Sequence, residues 1–298
     1  MTTIELEEIG DRFSDKDDGE VLIEEIESLE EPKVVWWVSK AEIMKWFHLL
    51  YVLDWIVASS IFVGTSLFRT IASPHEVYFM DGDFSQSYPY QESTVPSWAL
   101  VLIGISPAVI TTIYQLFRKA PKEEKLHEIH HALLSWFEAM AINALIGTSA
   151  KFACGRHRPD YFARIGMSAA IVKDSHLSFP SGHSSGSFSA MTFVFWYFCG
   201  KTKVFYKGFF SQLVIIAIPL YFALWVAITR VQDYKHNYSD ILGGMLLGLI
   251  AGTIAYLMNF NSPLSPDSDK AKNYVTLPPN SPDNHQLMLP QGIAKLCK

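Results

Sequence analysis

The chain has 298 residues, long enough for one or two ordinary soluble domains, yet 49% of them are hydrophobic and 14% aromatic, gathered into blocks. A formal net charge of −6 leaves no electrostatic footprint for nucleic-acid binding, so no nucleic acid is expected as a partner. The three cysteines, Cys154, Cys199 and Cys297, are odd in number and match no metal or redox spacing, which argues against a disulfide framework.

Residues 1–45 open the chain as an acidic segment. Glu5, Glu7, Glu8, Asp17, Asp18, Glu24, Glu25 and Glu27 crowd its first part, and such a run reads as a solvated cytosolic tail, followed by an interfacial stretch. The first 30 residues are acidic rather than apolar, unlike a cleavable signal peptide.

A helix needs about 20 mostly apolar residues to cross the hydrocarbon core of a bilayer. Six stretches meet or approach this, over 47–68, 98–117, 132–150, 184–200, 209–229 and 240–260, the fourth being the shortest. The expected fold class is therefore all-α, an integral membrane six-helix bundle over 46–260. Residues 261–298, rich in Pro, Ser, Asp and Asn, read as a disordered cytosolic tail. Trp36, Trp37, Trp46, Trp55, Trp98 and Trp136 lie near the ends of the first three stretches, as interfacial anchors do.

Lys and Arg in short loops set the orientation. Lys33, Lys40 and Lys45, then Arg118, Lys119, Lys122 and Lys125, then Lys201, Lys203 and Lys207 fall on one side by parity and read as cytosolic, with both tails. The loop 72–97 has no Lys or Arg and reads as external. Two external loops depart from the rule: 151–183 carries Lys151, Arg156, Arg158, Arg164 and Lys173, and 230–239 carries Arg230 and Lys235. A bound anion would account for the misplaced charge.

Within the spans, Asp54 and Glu138 lie near the cytosolic ends, and Asn143 sits deeper, where a hydrogen bond between helices is expected. Gly244, Gly248 and Gly252 recur every four residues, a close-packing face within the bundle or between subunits, so a homo-oligomer stays open.

Three segments of the two basic loops carry chemistry: KFACGRHRP from Lys151, PSGH from Pro180 and RVQDYKHNYSD from Arg230. Transfer of a phosphoryl group requires its anionic oxygens to be neutralised. Arg binds them in pairs through its planar fork and Lys adds a point charge, and Lys151, Arg158 and Arg230 supply both kinds. Ser181 and Gly182 precede an apolar helix whose free N–H groups favour an anion, and Ser181 can donate to it or cap the helix. His236 and Asp240 are four apart and share a face if helical, so that the carboxylate holds one ring nitrogen and the other attacks phosphorus. His183 is placed to protonate the leaving oxygen.

These segments resemble the three signature motifs of the type-2 phosphatidic acid phosphatase superfamily, and the runs CGRHRPDYF, SFPSGHSS and RVQDYKHNYSDILGG are most similar to the lipid phosphate phosphatases. Thr229 stands where the third motif usually has Ser. The resemblance implies a multi-pass enzyme of the plasma membrane or an endomembrane, with an extracytoplasmic active site and no metal or other cofactor, Mg²⁺ included. It implies phosphate binding by Lys151, Arg158, Ser181, Gly182 and Arg230, His183 as acid, and a phosphohistidine on His236 oriented by Asp240. Phosphatidate, lysophosphatidate, sphingosine 1-phosphate, ceramide 1-phosphate and diacylglycerol pyrophosphate are the implied lipid substrates. A non-catalytic lipid-phosphate binder, and a phosphatase for polyprenyl diphosphate or a soluble ester, are the alternatives.

A different class of function is raised by His127-Glu128-Ile129-His130-His131, which matches the H-E-x-x-H pattern of zinc proteases. About 20 helical residues separate it from the first phosphate segment, roughly 30 Å, so the two cannot share one site. A polar helix entrance at the cytosolic surface is the simpler expectation.

Overall fold

The structure is a computed structural model, and it describes residues 49–80 and 82–272. The acidic tail, Trp36, Trp37 and Trp46 lie outside the described residues, as does the C-terminal segment from 273. Among the described residues ten α-helices follow one another: α1 Leu49–Ile71, α2 Ser97–Phe117, α3 Lys122–Cys154, α4 Tyr161–Arg164, α5 Ala169–Ser175, α6 Gly182–Thr202, α7 Val204–Lys207, α8 Phe210–Ile216, α9 Ile218–Gln232 and α10 Tyr238–Asn259. Among the described residues there is no strand beyond one isolated antiparallel bridge, Phe260 to Ala271.

Among the described residues, four helices (α1, α2, α3 and α10) are long and apolar enough to cross a bilayer, and α8 with α9 make a fifth if the pair is one span bent by 43°. The chain is thus built as a multi-pass membrane protein. The bend follows from Pro219, which lacks the N–H needed to continue the ladder and crowds the preceding turn, so α8 ends at Ile216 and α9 restarts around the proline. At 33 residues and 1.5 Å each, α3 is about 50 Å long and outreaches the bilayer core.

The fourth predicted stretch is helical as α6, but α6 falls outside the set of apolar spans. It is the central helix, packed against α2, α3, α9 and α10. Its Ser184, Ser185, Ser187, Ser189 and Thr192 are buried against neighbours rather than facing lipid, which lowers the apolarity of the segment without exposing polar groups. The glycines of α10 explain the small residues. A Cβ at Gly248 would lie 2.5 Å from the Ser185 carbonyl oxygen and 2.6 Å from Phe188 Cβ, and one at Gly252 would lie 2.7 Å from the Ser189 oxygen. The glycine face is therefore spent inside the bundle, on α6. Leu242, Leu246, Ile250 and Ile254, on the opposite side of α10, remain exposed as a lipid-facing stripe.

A buried polar chain crosses the other end of the bundle. Tyr51 Oη is 2.9 Å from His131 Nε2, His131 Nδ1 is 3.1 Å from Asn259 Oδ1, and Asn259 Nδ2 donates to Glu138 at 2.6 Å. It joins α1, α3 and α10 through the amide of Asn259, whereas the Oδ1 of Asn143 is buried without a partner. Trp136 likewise departs from an interfacial role: its indole N–H donates to the Gly104 carbonyl and pins α3 to α2. Glu128 forms a buried ion pair with Lys201 and accepts the Ala271 N–H at 2.9 Å. Residues 260–272 fold back over this end, with Ser268 and Ala271 buried, whereas the sequence predicts disorder from 261. The reason is local: the strap meets Glu128 and the Gly200 carbonyl, which a polar tail can satisfy.

Candidate active site

The opposite end of the bundle is closed by three loops. Gly155 ends α3 at φ +56°, and a Cβ there would sit 1.8 Å from the His75 carbonyl oxygen, so only glycine lets residues 72–80 approach. The segment after Gly155 runs beside residues 175–178, with Arg158 N–H donating to the Ser175 carbonyl at 2.9 Å and Ser178 N–H to the Arg156 carbonyl at 3.0 Å. Ser181 N–H donates to the Asp240 carbonyl at 2.9 Å, tying the start of α6 to the start of α10.

His236 lies in the short loop before α10, with 2% of its surface exposed. It is not on the helix, as a shared face with Asp240 requires; Asp240 alone is helical, in the first turn of α10. The gap from His236 Nδ1 to Asp240 Oδ2 is 3.7 Å, too long for a hydrogen bond. Asp240 instead accepts from Asn237 N–H at 2.9 Å, from Arg156 Nη1 at 2.8 Å and from Ser178 Oγ at 2.6 Å. Ser178 Oγ is also 3.3 Å from His236 Nδ1.

Arg158 reaches the imidazole from the other side. Its Nη1 is 3.2 Å from His236 Nε2 and 3.2 Å from the Lys235 carbonyl, while Nη2 and Nε donate to the side chain and carbonyl of Asp174 at 2.9 and 3.0 Å. A guanidinium has no acceptor, so His236 Nε2 carries the lone pair and Nδ1 the proton. Burial, reinforced by the positive charges of Arg158, Lys151 and Arg230, holds the His236 imidazole well below the usual histidine range, and hence neutral. Burial alone would raise the Asp174 carboxyl, but Arg158 and Arg164 together outweigh it and hold the group low and ionised.

Lys151, in the last turn of α3, donates Nζ to the Leu177 carbonyl at 2.8 Å, and its Cε lies 3.7 Å from where a Gly182 Cβ would be. Ser181 caps α6, its oxygen accepting from Ser184 N–H at 3.4 Å, which leaves its proton available. His183 Nε2 lies 3.1 Å from the Val95 carbonyl, which can only accept, so that nitrogen donates. Arg230 is 2% exposed; it donates to Asp233 at 3.1 Å, Ser93 Oγ at 3.1 Å and the Val95 carbonyl at 3.4 Å, and its Nε is buried without a partner. An orphaned buried donor of this kind is what an entering anion would satisfy.

The eight residues singled out in the sequence thus gather at one end of the bundle. The structure adds Ser178, Arg156, Asp174, Asp233 and the 93–95 segment. Arg156 and Asp233 were within the motif segments, but their spacing alone gave them no role. The loop 72–97, which lacks Lys and Arg, offers no motif, yet Thr94 N–H and Oγ donate to Asp233 at 2.9 and 2.7 Å and so steady Arg230. The basic charge of the two loops is also partly balanced within the protein: Lys235 pairs with Asp160, Arg164 with Asp160 and Asp174, and Arg156 with Asp240.

The H-E-x-x-H segment lies at the far end of α3. Its Glu128 is engaged by Lys201 and its His131 by Tyr51 and Asn259, so the protease ligand set is not assembled there. Among the described residues no cluster of three His, Cys, Asp or Glu side chains is arranged to hold a metal.

Comparison with known proteins identifies the family. The PAP2 superfamily model matches residues 132–263. A PA-phosphatase related-family protein of Dictyostelium discoideum is 38% identical over 77% of this chain and 87% of its own length. Lipid phosphate phosphatase 2 of Arabidopsis thaliana is 33% identical over 72% of this chain and 79% of its own. Phospholipid phosphatase 2 of Homo sapiens is 27% identical over 72% and 83%. No solved structure matches the chain. The matched region spans Lys151, the PSGH turn and the Arg230–Asp240 segment, and the chain belongs to the PAP2 superfamily, within its lipid phosphate phosphatase family.

Proposed function

We propose that the protein is a lipid phosphatase that hydrolyses phosphomonoesters through a phosphohistidine on His236. The observation that carries this reading is the buried, neutral imidazole of His236 with its Nε2 lone pair facing Arg158 at 3.2 Å, beside the partnerless Nε of Arg230. Phosphatidate, lysophosphatidate, sphingosine 1-phosphate, ceramide 1-phosphate and diacylglycerol pyrophosphate are the substrates, in keeping with relatives named lipid phosphate phosphatase and phospholipid phosphatase.

In the first step Nε2 attacks phosphorus, a P–N bond forms and the P–O bond to the lipid breaks. His183, protonated on the nitrogen not held by Val95, gives its proton to the leaving oxygen. In the second, water attacks the phosphohistidine, gives a proton back to His183, and inorganic phosphate leaves. Arg158, Arg230, Lys151 and the N–H groups of the Ser181–Gly182 turn neutralise the phosphoryl oxygens. An entering phosphate competes with Asp174 and with Nε2 itself for the Arg158 guanidinium. The charge is supplied by side chains, and the reaction is expected to proceed without Mg²⁺.

The same reading takes α6 as a sixth span and puts the site at the extracytoplasmic surface, with both tails cytosolic. The lipid-facing stripe of α10 and the proximity of His236 to its first turn let a headgroup reach the site while its chains stay in the bilayer.

The test is phosphate release by purified protein from a panel of lipid phosphates in mixed micelles, with excess EDTA in one arm. His236→Ala and His183→Ala should each nearly abolish release while the protein stays folded. Full activity in the His236 variant overturns the mechanism; strict dependence on Mg²⁺ overturns the metal-free chemistry; and release from soluble esters alone overturns the lipid assignment. Accessibility labelling should find residue 173 external.

A further inference from the structure

We propose that Ser178 is a positioning residue for the nucleophile: its hydroxyl stands between His236 and Asp240 and transmits the carboxylate's hold to the imidazole. The proposal rests on the reading of His236 as nucleophile. Asp240 cannot orient the ring directly across 3.7 Å. Ser178 Oγ is within reach of both, at 2.6 Å from Asp240 Oδ2 and 3.3 Å from His236 Nδ1.

The direction of each bond is fixed by chemistry. An ionised carboxylate only accepts, so the serine O–H donates to Asp240. Its lone pairs then face Nδ1, which donates. That leaves Nε2 unprotonated, the same tautomer that the Arg158 guanidinium requires from the other side. Two independent contacts thus select one tautomer, with its lone pair on the attacking nitrogen.

Both members of the relay are held in place. Asp240 is fully buried and is clamped by Asn237 N–H and Arg156 Nη1. Ser178 is fully buried too, and its N–H donates to the Arg156 carbonyl. Arg156 therefore grips the serine through its backbone and the aspartate through its side chain, fixing the distance between them.

The test combines steady-state kinetics with alkaline-SDS-quench labelling by ³²P-lipid substrate in micelles, on the full chain. Ser178→Ala should lower kcat by about 10–100-fold, the usual range when an outer-shell partner of a functional histidine is removed. KM should move by no more than about twofold, because no group that binds phosphate is lost. Ser178→Cys, of similar volume, checks that the loss is not a packing defect, and both variants should melt near the parent temperature. Ser178→Thr, which keeps the hydroxyl, should recover most of the rate. A double substitution with Asp240→Ala should be no slower than Asp240→Ala alone, since the two act as one unit. A parent that labels at residue 236 alongside a Ser178→Ala variant labelling at the same rate overturns the proposal, as do multiplicative losses in the double variant. A parent that does not label at residue 236 overturns the nucleophile assignment, and this proposal with it.

Discussion

Arg158 Nη1 lies 3.2 Å from His236 Nε2, a cationic donor set directly on the lone pair of a buried imidazole. Burial and this contact together keep the ring neutral, and in the proposed mechanism the contact places the group that neutralises a phosphoryl oxygen beside the atom that attacks phosphorus. Arg158→Lys retains one charge but loses the fork that spans Asp174, the Lys235 carbonyl and His236 together. The expected loss in kcat is about 10²–10³-fold, typical of removing one preorganised oxyanion donor. Phosphate-release kinetics check it; a variant within tenfold of the parent would remove Arg158 from the reacting centre.

His157 stacks on Tyr161 with ring centroids 4.2 Å apart, and it is pushed down to about 4 by burial, with the neighbouring His176 adding to the shift. The unfolded chain takes up its proton near pH 6.5, the native protein only near 4. Stability from this group is therefore complete above about pH 6.5 and declines as pH falls through that window, because the unfolded state binds more protons there. His236, depressed in the same direction, adds to the slope. The melting temperature should fall between pH 7 and pH 5, and His157→Phe, which keeps a ring and removes the titration, should flatten the fall. An unchanged slope contradicts the assignment.

Gly248 leaves no space for a side chain against α6. The neighbours are backbone and a Cβ, which cannot swing aside, so Gly248→Ala must part the helices. A destabilisation of about 1–3 kcal/mol is expected, as for other overpacked cores. Thermal denaturation in detergent measures it, and Gly64→Ala, where a Cβ meets nothing within 4 Å, is the control that should change little.

Lys201 and Glu128 are 2% and 3% exposed, so each charge depends on the other. Lys201→Met strands the carboxylate in the interior and should cost about 3–5 kcal/mol, whereas Lys201→Met with Glu128→Gln should recover most of it. Denaturation of both variants decides this. Because the pair sits at the far end of α3 from His236, the double variant should keep parental kcat.

How much of this was legible in the sequence differs from element to element. The apolar stretches at 98–117 and 240–260 coincide closely with α2 and α10, because a run of apolar residues long enough for a bilayer has few other folds. The stretch at 184–200 gave a weaker signal because α6 is surrounded by helices, and its serines trade apolarity for close packing on glycine. The break at Ala217 was written in Pro219, yet an apolar run masks it. At the site, Lys151, Arg158, Ser181, Gly182, His183, Arg230, His236 and Asp240 stood out by spacing. Ser178, Asp174, Asp233 and Val95 did not, because their roles arise from loops folding onto one another, not from a fixed motif spacing, or from backbone carbonyls that carry no residue identity. Asp240 illustrates the limit: its spacing from His236 suggested a direct contact, and the loop conformation of His236 put a serine between them.

The central claim is that His236 becomes phosphorylated during turnover. Protein quenched in alkaline SDS after mixing with ³²P-labelled phosphatidate, digested and mapped, tests it most directly. The account predicts an acid-labile, base-stable label on the peptide carrying residue 236, absent from His236→Ala and accumulating when hydrolysis of the intermediate is slowed. Full turnover with label on another residue, or with none under any quench, would contradict it.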